Sequence, residues 1–332
     1  ANELRRYKKE YGLIDYNDMI LDFVKSDKSP KFDVVFIDEA QDLSRMQWDM
    51  VNSFDTNDSF IAGDDDQAIF RWAGADVDSF ITQKGKLLNL TQSVRIPKKI
   101  HDFAIKIIER VSNRLPKDWQ PKAHAGSITK HWNFEDINMK EGNWLVLTRT
   151  RHQLKPLEDV LKEKGFYFEN RFGKSYEKNI QEAAANWEHL RQGQLMHSRD
   201  IQNIAQYMGE SNWEKKKLKA LAKDSFYGID ILTKGYGLNT KKTWYECFDN
   251  AGSKRITYIR KMRANGESLK SGARIKLSTI HSVKGGEEDN VIILPDLTYN
   301  TQQAYERNKD DENRLFYVGA TRTKEHLHVV EP

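Results

Sequence analysis

The chain has 332 residues, 38% hydrophobic and 31% charged, and this composition is typical of a globular protein rather than a disordered one. A single cysteine, Cys247, excludes an intrachain disulfide framework and a zinc site built on several cysteines. No apolar run approaches the ~18 residues of a membrane span. At ~150 residues per domain we expect about two domains in a soluble, cytoplasmic protein without a membrane partner.

The net charge of +4 is unevenly distributed along the chain. Residues 1–90 hold 18 acidic and 11 basic residues, whereas residues 215–276 hold 5 acidic and 16 basic ones. We call residues 215–276 the basic segment. Its local excess of positive charge predicts a surface that binds a polyanion, and a solvated helix face is the alternative interpretation.

The predicted elements alternate between strands and helices. Short apolar runs rich in β-branched residues predict strands, and apolar residues at helical spacing predict helices. Strands are predicted at residues 34–37, 59–62, 86–91, 144–148, 274–280 and 291–294, with another from Tyr167; helices are predicted at 45–54, 100–111 and 154–164. Residues 315–320 and 327–330 are the last apolar runs. This alternation indicates a parallel sheet covered on both faces.

Residues 176–265 are mostly polar and helix-like. Their scattered large apolar residues predict a few buried anchors, which are Trp187, Leu190, Trp213 and Trp244.

The first chemical motif is VVFIDEAQD at residues 34–42. Two adjacent acids at the carboxyl end of a buried strand suit Mg-nucleotide chemistry. Asp38 could hold the metal, directly or through water, and Glu39 could orient or deprotonate an attacking water. The alternative is a solvated strand end.

The second motif, GDDDQAIFRWAGA at residues 63–75, also follows a predicted strand, where ligands of α/β proteins gather. An acidic turn followed by Gln67 suits a phosphate sensor. Phe70 and Trp72 offer rings for base stacking. The alternative is that both rings belong to the core.

Two arginines form the third signal, Arg95 in QSVRIP and Arg322 in YVGATR. If both reached one phosphate, they would neutralise the charge of its transition state. Nothing in the local sequence shows that they converge, and two surface charges are the alternative.

The stretch KLSTIHSVKGGE at residues 276–287 places Ser, Thr, His and Lys after a predicted strand. Such residues could bind a phosphate backbone, and glycines allow its close approach. A buried structural His281 is the alternative. By contrast, Gly173-Lys174-Ser175 is expected to be a plain turn, because Phe168 stands where a phosphate-binding loop needs glycine. No other stretch supplies such a loop.

In this order, the motifs resemble those of the UvrD/Rep-like superfamily 1 DNA helicases. The resemblance extends from YGLIDY at 11–16 to the end of the chain. The matching stretches are DEAQD at 38–42, GDDDQ at 63–67, QSVRIP at 92–97, WLVLTRT at 144–150, STIHSVKGGE at 278–287 and RLFYVGATRT at 314–323. It implies an α/β fold of tandem RecA-like parallel-sheet domains with ATP between them and a mainly helical insertion in the second.

By position, the resemblance also implies roles for individual residues. Asp38 would hold Mg²⁺ and Glu39 would activate the water. Gln67 would sense the γ-phosphate, which Arg95 and Arg322 would reach from the second domain.

The remaining implied roles concern the ribose side of the nucleotide and the DNA. Gly285 and Glu287 would contact the nucleotide, with Glu287 at the ribose. The residues implied in DNA binding are Phe70, Trp72, Thr279 and His281.

The resemblance divides the chain into the C-terminal half of a first RecA-like domain at 1–90, a second at 91–172 and 271–332, and a basic helical insertion at 173–270. The chain departs from the family because it lacks the phosphate-binding loop and carries Val94 where an adenine-stacking aromatic is usual. We therefore expect an exposed sheet edge and apolar face. We also expect the N-terminal part of the same helicase as a partner, and no ATP hydrolysis by this chain alone.

The sequence thus predicts a portion of an ATP-dependent DNA helicase that couples ATP hydrolysis to movement on single-stranded DNA and duplex unwinding. ATP and Mg²⁺ are the expected cofactors, and single-stranded and forked DNA the expected partners. Two alternatives stay open at this point, a non-hydrolysing nucleic-acid-binding module and the motor part of a helicase–nuclease.

Overall fold

A computed structural model of the chain describes residues 2–26, 28–267 and 272–331. The helices are α1 (Asn2–Tyr11), α2 (Tyr16–Ser26), α3 (Arg45–Asn52), α4 (Val77–Ile81), α5 (Lys98–Ile108), α6 (Leu154–Lys164), α7 (Lys178–Arg191), α8 (Ser198–Gln206), α9 (Ile229–Gly235), α10 (Trp244–Cys247), α11 (Ser253–Ala264), α12 (Tyr299–Arg307) and α13 (Lys309–Ala320). The strands are β1 (Lys31–Ile37), β2 (Asp55–Ile61), β3 (Gln92–Pro97), β4 (Gln120–Lys122), β5 (Ser127–His131), β6 (Trp144–Thr148), β7 (Phe168–Asn170), β8 (Gly173–Lys174), β9 (Met196–His197), β10 (Phe226–Tyr227), β11 (Ile275–Thr279), β12 (Glu288–Leu294) and β13 (Thr323–Val330).

The chain divides into two compact units. Unit 1 comprises Ala1–Asn133, Leu147–Thr150 and Thr279–Pro332, and unit 2 comprises Phe134–Val146 and Arg151–Ser278. These units group residues by spatial contact. The predicted four-part division by family resemblance stays a prediction.

The first strands of unit 1 form a parallel pair, as their apolar runs predict. β1 pairs with β2 in a register that sets Val34 opposite Asp58 and Ile37 opposite Ile61. Between them, α3 begins at Arg45 because Ser44 and Gln47 form a capping box, each side chain binding the other's backbone N–H. The strands at 34–37 and 59–62 and the helix at 45–54 are confirmed. The prediction that the first of these strands is buried is wrong, because Val34 is 41% exposed and β1 pairs with a single described strand.

The strand predicted at residues 86–91 is wrong. Those residues have no strand structure, and the next strand, β3, begins at Gln92. Leu87, Leu88 and Leu90 are exposed by 64%, 75% and 96%. An apolar run becomes a strand only where a neighbouring strand completes its backbone hydrogen bonds, and no described strand pairs with residues 86–90.

One face of the β1–β2 pair carries exposed aromatic rings. The rings of Phe36 and Phe60 stack with centroids 5.1 Å apart, and the two residues are exposed by 75% and 57%. Parallel sheets normally have both faces covered. The expected exposed apolar face is therefore confirmed in the described part of the chain.

The other strands of unit 1 carry its main core. β13 lies between β5 and β12, and both pairings are parallel. α5 packs with α13, which bury Ile100, Ile108 and Val318 between them and the neighbouring strands. The apolar run at 315–320 is thus the second half of a helix, whereas the run at 327–330 is part of β13.

Unit 2 combines short strands with a helical core. β7 pairs in parallel with β11 and in antiparallel with β8. Gly173 and Lys174 therefore lie in the hairpin of β7 and β8, and their stretch is not the start of a helix, as a phosphate-binding loop would require. The strand at 144–148 and the helix at 154–164 are confirmed, and α6 ends at Gly165 in a left-handed conformation.

Helices α7 to α11 surround one apolar cluster in unit 2. All four predicted anchors, Trp187, Leu190, Trp213 and Trp244, are buried in it. Cys247 lies in the same cluster as a free thiol, and burial raises its pKa to about 12. The helix-rich character predicted for residues 176–265 is confirmed. Across the described residues, no helix has both the length and the apolar character needed to cross a membrane.

Candidate nucleotide and nucleic-acid site

Every site residue predicted from the sequence lies in unit 1. The turn that follows β1 holds the two acids of the first motif. Glu39 has φ 52° and ψ 38°, a left-handed conformation that costs a residue with a side chain roughly 1–3 kcal/mol. Its backbone N–H donates to Oδ1 of Asp38 at 2.9 Å. This turn leaves the carboxylate of Glu39 64% exposed, where a substrate can reach it.

Lys284 and Gln41 hold the Glu39 carboxylate, a contact that the sequence did not predict. Lys284 Nζ lies 3.0 Å from Glu39 Oε2 and 2.5 Å from Asp42 Oδ2. Burial acts to raise the pKa of Glu39, but hydrogen bonds from Lys284 and Gln41 outweigh it and hold that pKa below its usual value. Glu39 is therefore ionised at neutral pH, as a base must be.

Gln41 links the first motif to the second. Its side chain is fully buried, its Nε2 donates to Glu39 Oε2, and its Oε1 accepts the backbone N–H of Asp64 at 2.9 Å. A Cβ on Gly63 would lie 2.6 Å from that Oε1, so any side chain at this position would displace the Gln41 amide. The two motifs are thus in direct contact.

Gln67, the glutamine of the second motif, contacts both Asp64 and Arg322. Its Nε2 donates to Asp64 Oδ2 at 2.6 Å, and its Oε1 accepts from Arg322 Nη2 at 3.1 Å. Arg322 is buried and also donates from Nε to the carbonyl of Val318 at 3.0 Å. The predicted sensor and the predicted arginine therefore meet.

Arg95 lies in the same neighbourhood. Burial, followed by repulsion from the Arg95 charge, lowers the pKa of Arg322 to about 10. Arg95 Nη1 lies 3.3 Å from Glu287 Oε2, while its buried Nε has no hydrogen-bond partner. Two guanidinium groups held together at a partly desolvated site favour an anionic ligand. The charges of the two arginines therefore act on each other in unit 1, and their convergence on one phosphate stays a prediction.

Two cavities of unit 1 share Arg95. One, of about 430 Å³, is lined among others by Gln67, Arg95 and Thr321. The other, of about 460 Å³, is lined among others by Arg95, Glu287 and Lys324. Both volumes fall in the range of small-molecule sites.

The exposed side chain of Val94 lines the second cavity. Val94 is 90% exposed, and the described lining of this cavity contains no aromatic ring. A nucleotide base placed there would meet charged and polar side chains. The family's stacking contact is therefore missing at this position, in agreement with the sequence.

The chemistry of Asp38 fits a Mg²⁺ ion that is held mainly by a nucleotide. Mg²⁺ commonly uses one or two carboxylates together with phosphate oxygens and waters. The carboxylate of Asp38 is exposed beside Glu39 at the end of β1. The described residues contain no group of three or more His, Cys, Asp or Glu side chains that would hold a metal without such help.

The rings of Phe70, Trp72 and His281 form an aromatic cluster, in which Trp72 is exposed and the other two are partly buried. The centroid distances are 6.5 Å between Phe70 and Trp72, 6.2 Å between Phe70 and His281, and 6.0 Å between Trp72 and His281. Trp72 is 75% exposed, so the alternative that it belongs to the core is wrong, whereas Phe70 is partly buried. Burial, followed by the Arg149 charge, lowers the pKa of His281 to about 4 and keeps it neutral.

The remaining predicted residues shape the segment around His281. Thr279 Oγ1 accepts the backbone N–H of Ser282 at 3.3 Å, which turns the chain after β11. Gly285 has φ +90°, a conformation that side chains disfavour. The roles predicted for Thr279 and Gly285 stay predictions.

A second charge cluster was missed by the sequence interpretation. Asp65 and Asp66 of the second motif are fully buried, and Asp66 accepts two hydrogen bonds from Arg114, at 2.8 and 2.7 Å. Lys117 pairs with all three consecutive aspartates, of which Asp64 is the first. Nothing in the local sequence around residues 114–117 indicates these contacts, because the partners lie about fifty residues away.

Comparisons with known proteins agree with these observations. The model of the UvrD/REP helicase N-terminal domain matches residues 1–87, and that of the UvrD-like helicase C-terminal domain matches residues 167–331. Among curated proteins, the chain is 27% identical to the ATP-dependent DNA helicase srs2 of Schizosaccharomyces pombe over 147 residues. It is 25% identical to the ATP-dependent DNA helicase PcrA of Bacillus subtilis over 190 residues, and 27% identical to DNA helicase II of Escherichia coli over 144 residues.

These matches cover 41%, 47% and 38% of this chain. They cover 16%, 26% and 20% of the respective relatives. The chain therefore spans about a quarter or less of the length of the curated relatives that it matches.

Proposed function

Because the chain belongs to the UvrD/Rep-like helicases, we propose that it forms part of an ATP-dependent DNA helicase. In this proposal, its residues couple ATP hydrolysis to movement on single-stranded DNA and to unwinding of forked duplexes. The relatives named above are ATP-dependent DNA helicases by their own names, and this supports ATP as the cofactor here.

The contact between Gln67 and Arg322, with Arg95 beside it, is the observation that carries the proposal. Phosphoryl transfer needs positive charge around the γ-phosphate and a polar group that orients the attacking water. Arg322 is buried, and its charge repels that of Arg95. An anion bound beside both side chains would reduce this repulsion. Gln67 Oε1 now accepts from Arg322, and a bound nucleotide would compete for this hydrogen bond.

The carboxylates at the end of β1 complete the proposed chemistry. Asp38 would hold Mg²⁺, which would neutralise phosphate charge when bound. Glu39 would accept the proton of the attacking water, and its ion pair with Lys284 would have to loosen for that step. Lys284 would then be free to contact phosphate.

Two surfaces support binding of DNA. The cluster of Phe70, Trp72 and His281 would stack on unpaired bases, since every base offers a π-face. In unit 2, the basic segment includes the exposed side chains of Lys216 and Lys219. It also includes α11, in which the guanidinium of Arg260 lies 4.4 Å from the centroid of the Tyr245 ring. This segment would contact phosphates of the DNA.

We further propose that the phosphate-binding loop comes from residues outside these 332. The exposed rings of Phe36 and Phe60 support this, because a covering element would bury them. A protein that carries both these residues and the loop is called the loop-containing protein below.

The test is ATP-dependent strand displacement on a forked DNA by the loop-containing protein, with phosphate release measured in parallel. We expect single-stranded DNA to stimulate phosphate release, and the 332 residues alone to bind DNA without turnover. DNA binding without any stimulated turnover of the loop-containing protein would instead indicate a non-hydrolysing binding module. Robust turnover by the 332 residues alone would contradict the external loop.

A further inference from the structure

The loop after α5 inserts a largely buried cation, Lys117, among three consecutive aspartates. Its side chain is 18% exposed, and Nζ lies 2.6 Å from Asp64 Oδ1 and 3.2 Å from Asp66 Oδ2, with Asp65 as a third partner. Arg114 already occupies both oxygens of Asp66. Lys117 is therefore the cation that Asp64 depends on.

Asp64 in turn determines how the Gln67 amide is oriented. An ionised carboxylate only accepts hydrogen bonds, and an amide offers donors on nitrogen and an acceptor on oxygen. Asp64 Oδ2 therefore takes the Gln67 NH₂ group, at 2.6 Å, while Oδ1 is held by Lys117. The Gln67 oxygen is left to face the donor Arg322, at 3.1 Å.

We propose that Lys117 is a positioning residue for hydrolysis: by keeping Asp64 charged, it fixes the Gln67 amide with its oxygen towards Arg322 and the attacking water. The inference rests on the proposed function, because it gives Lys117 a part in that reaction. Lys117 acts only through Asp64 and Gln67.

The electrostatic balance around Asp64 makes this dependence strong. Burial acts to raise the pKa of Asp64, and the Lys117 charge is the largest opposing influence, which leaves that pKa below its usual value. Among the described residues, Asp65 and Asp66 share the Lys117 cation with Asp64. Glu39, Tyr317 and Arg322 also interact electrostatically with Asp64. Burial, followed by Asp64 and Asp66, raises the Tyr317 pKa well above its usual value, so this residue stays neutral.

Removal of the Lys117 charge would reverse the orientation of the Gln67 amide. Among the described groups named above, Arg322 would remain as a cation, and burial together with the neighbouring carboxylates would then raise the pKa of the Asp64 carboxyl. A protonated Asp64 becomes a donor, and the Gln67 amide would turn its oxygen towards it. Gln67 could then no longer offer that oxygen to the water.

The experiment measures kcat and KM for ATP against pH in the loop-containing protein and its Lys117→Met and Lys117→Arg variants. The control is Lys106→Met, which removes an exposed lysine of α5. We expect the acidic limb of kcat to move upward by about one pH unit or more in Lys117→Met, since an opposite charge typically shifts a carboxyl pKa by that much. The KM for ATP should change little in Lys117→Met, because the substitution affects the chemical step and not the binding of ATP. Lys117→Arg and Lys106→Met should overlay the wild type.

A second measurement separates this inference from the proposed function. The ¹³C carboxyl resonance of Asp64 and the side-chain ¹⁵N resonance of Gln67 can be titrated in the 332-residue chain, without any turnover. We expect a higher Asp64 pKa in Lys117→Met, and loss of the shifted acidic limb when Asp64→Asn is added. An unchanged Asp64 titration, or a kcat profile identical to that of the wild type, would overturn the role of Lys117. An inactive wild type with the expected titration would overturn the proposed function instead.

Discussion

Arg322 donates a hydrogen bond from Nη2 to Oε1 of Gln67 at 3.1 Å, although 255 positions separate the two residues in the chain. The guanidinium is buried and the amide is held on its other side by Asp64. A ligand that binds either residue therefore alters the partner of the other. This gives a direct route by which a phosphate could change the contact between two distant chain segments.

The first prediction concerns Glu39. In the loop-containing protein, Glu39→Gln should lower kcat by roughly 10²–10⁴-fold, because it removes the base and retains the shape. Binding of a fluorescent ATP analogue should stay close to that of the wild type. Glu109→Gln, at an exposed carboxylate next to α5, is the control. Loss of nucleotide binding with a normal residual rate would show that the assigned role is wrong.

Arg322→Lys keeps a positive charge but loses the planar fork that reaches Val318 and Gln67 together. We expect kcat to fall by at least about 100-fold, as for removal of one preorganised donor to transition-state charge. Steady-state phosphate release measures the effect, with the exposed Arg110→Lys as control. A variant that retains wild-type kcat would remove Arg322 from the catalytic step.

Trp72→Ala should weaken binding of single-stranded DNA by roughly 1–3 kcal/mol without creating a sequence preference. Because Trp72 is 75% exposed, the melting temperature should change little. Trp132→Ala is a matched control, since Trp132 is 76% exposed elsewhere in unit 1. Fluorescence anisotropy with several oligonucleotides and a thermal melt decide the matter. Equal affinities of both variants and the wild type would rule out stacking by Trp72.

The lowered pKa of His281, about 4, predicts a pH effect on stability. Between pH 6.5 and 4 the unfolded chain binds a proton at this position and the folded chain does not, so stability falls as the pH falls. The melting temperature should therefore drop less steeply over this range in His281→Gln than in the wild type. The exposed His189→Gln is the control. Parallel curves for His281→Gln and the wild type would contradict a neutral, partly buried histidine.

The basic segment should contribute sequence-independent affinity for nucleic acid. Replacing four of its lysines by Gln should flatten the dependence of log K on log salt by roughly 0.7 for each lost phosphate contact on single strands. The four are Lys215, Lys216, Lys217 and Lys219. A matched set of exposed lysines from the acidic first part of the chain serves as control, namely Lys9, Lys25, Lys28 and Lys31. An unchanged slope in the first set would favour a solvated helix face.

Local sequence was sufficient where a residue's neighbours in the chain determine its structure. The run at 144–148 is a strand over the predicted residues, and Gly165 ends α6 because it can adopt the left-handed conformation. The run at 86–91 has similar apolar character but forms no strand, because a strand also requires a paired neighbour. The difference between the two runs is not encoded locally.

In the candidate site, too, local sequence determined some features and tertiary packing determined others. The chemical character of Asp38, Glu39 and Gln67 followed from residue types at the ends of predicted strands. Whether a tryptophan is buried, as Trp213 is, or exposed, as Trp72 is, was decided by packing.

Contacts between distant segments were decided only by the tertiary structure. Lys117 meets Asp64 across 53 positions, and Lys284 meets Asp42 across 242. The residues next to a charged side chain in the sequence do not indicate its partner. A lysine is equally compatible with solvent and with a buried carboxylate. The sequence by itself therefore determined which residue types stand at the ends of the strands of unit 1. The folded chain determined which charges face one another, because burial makes an ion pair depend on geometry rather than on composition.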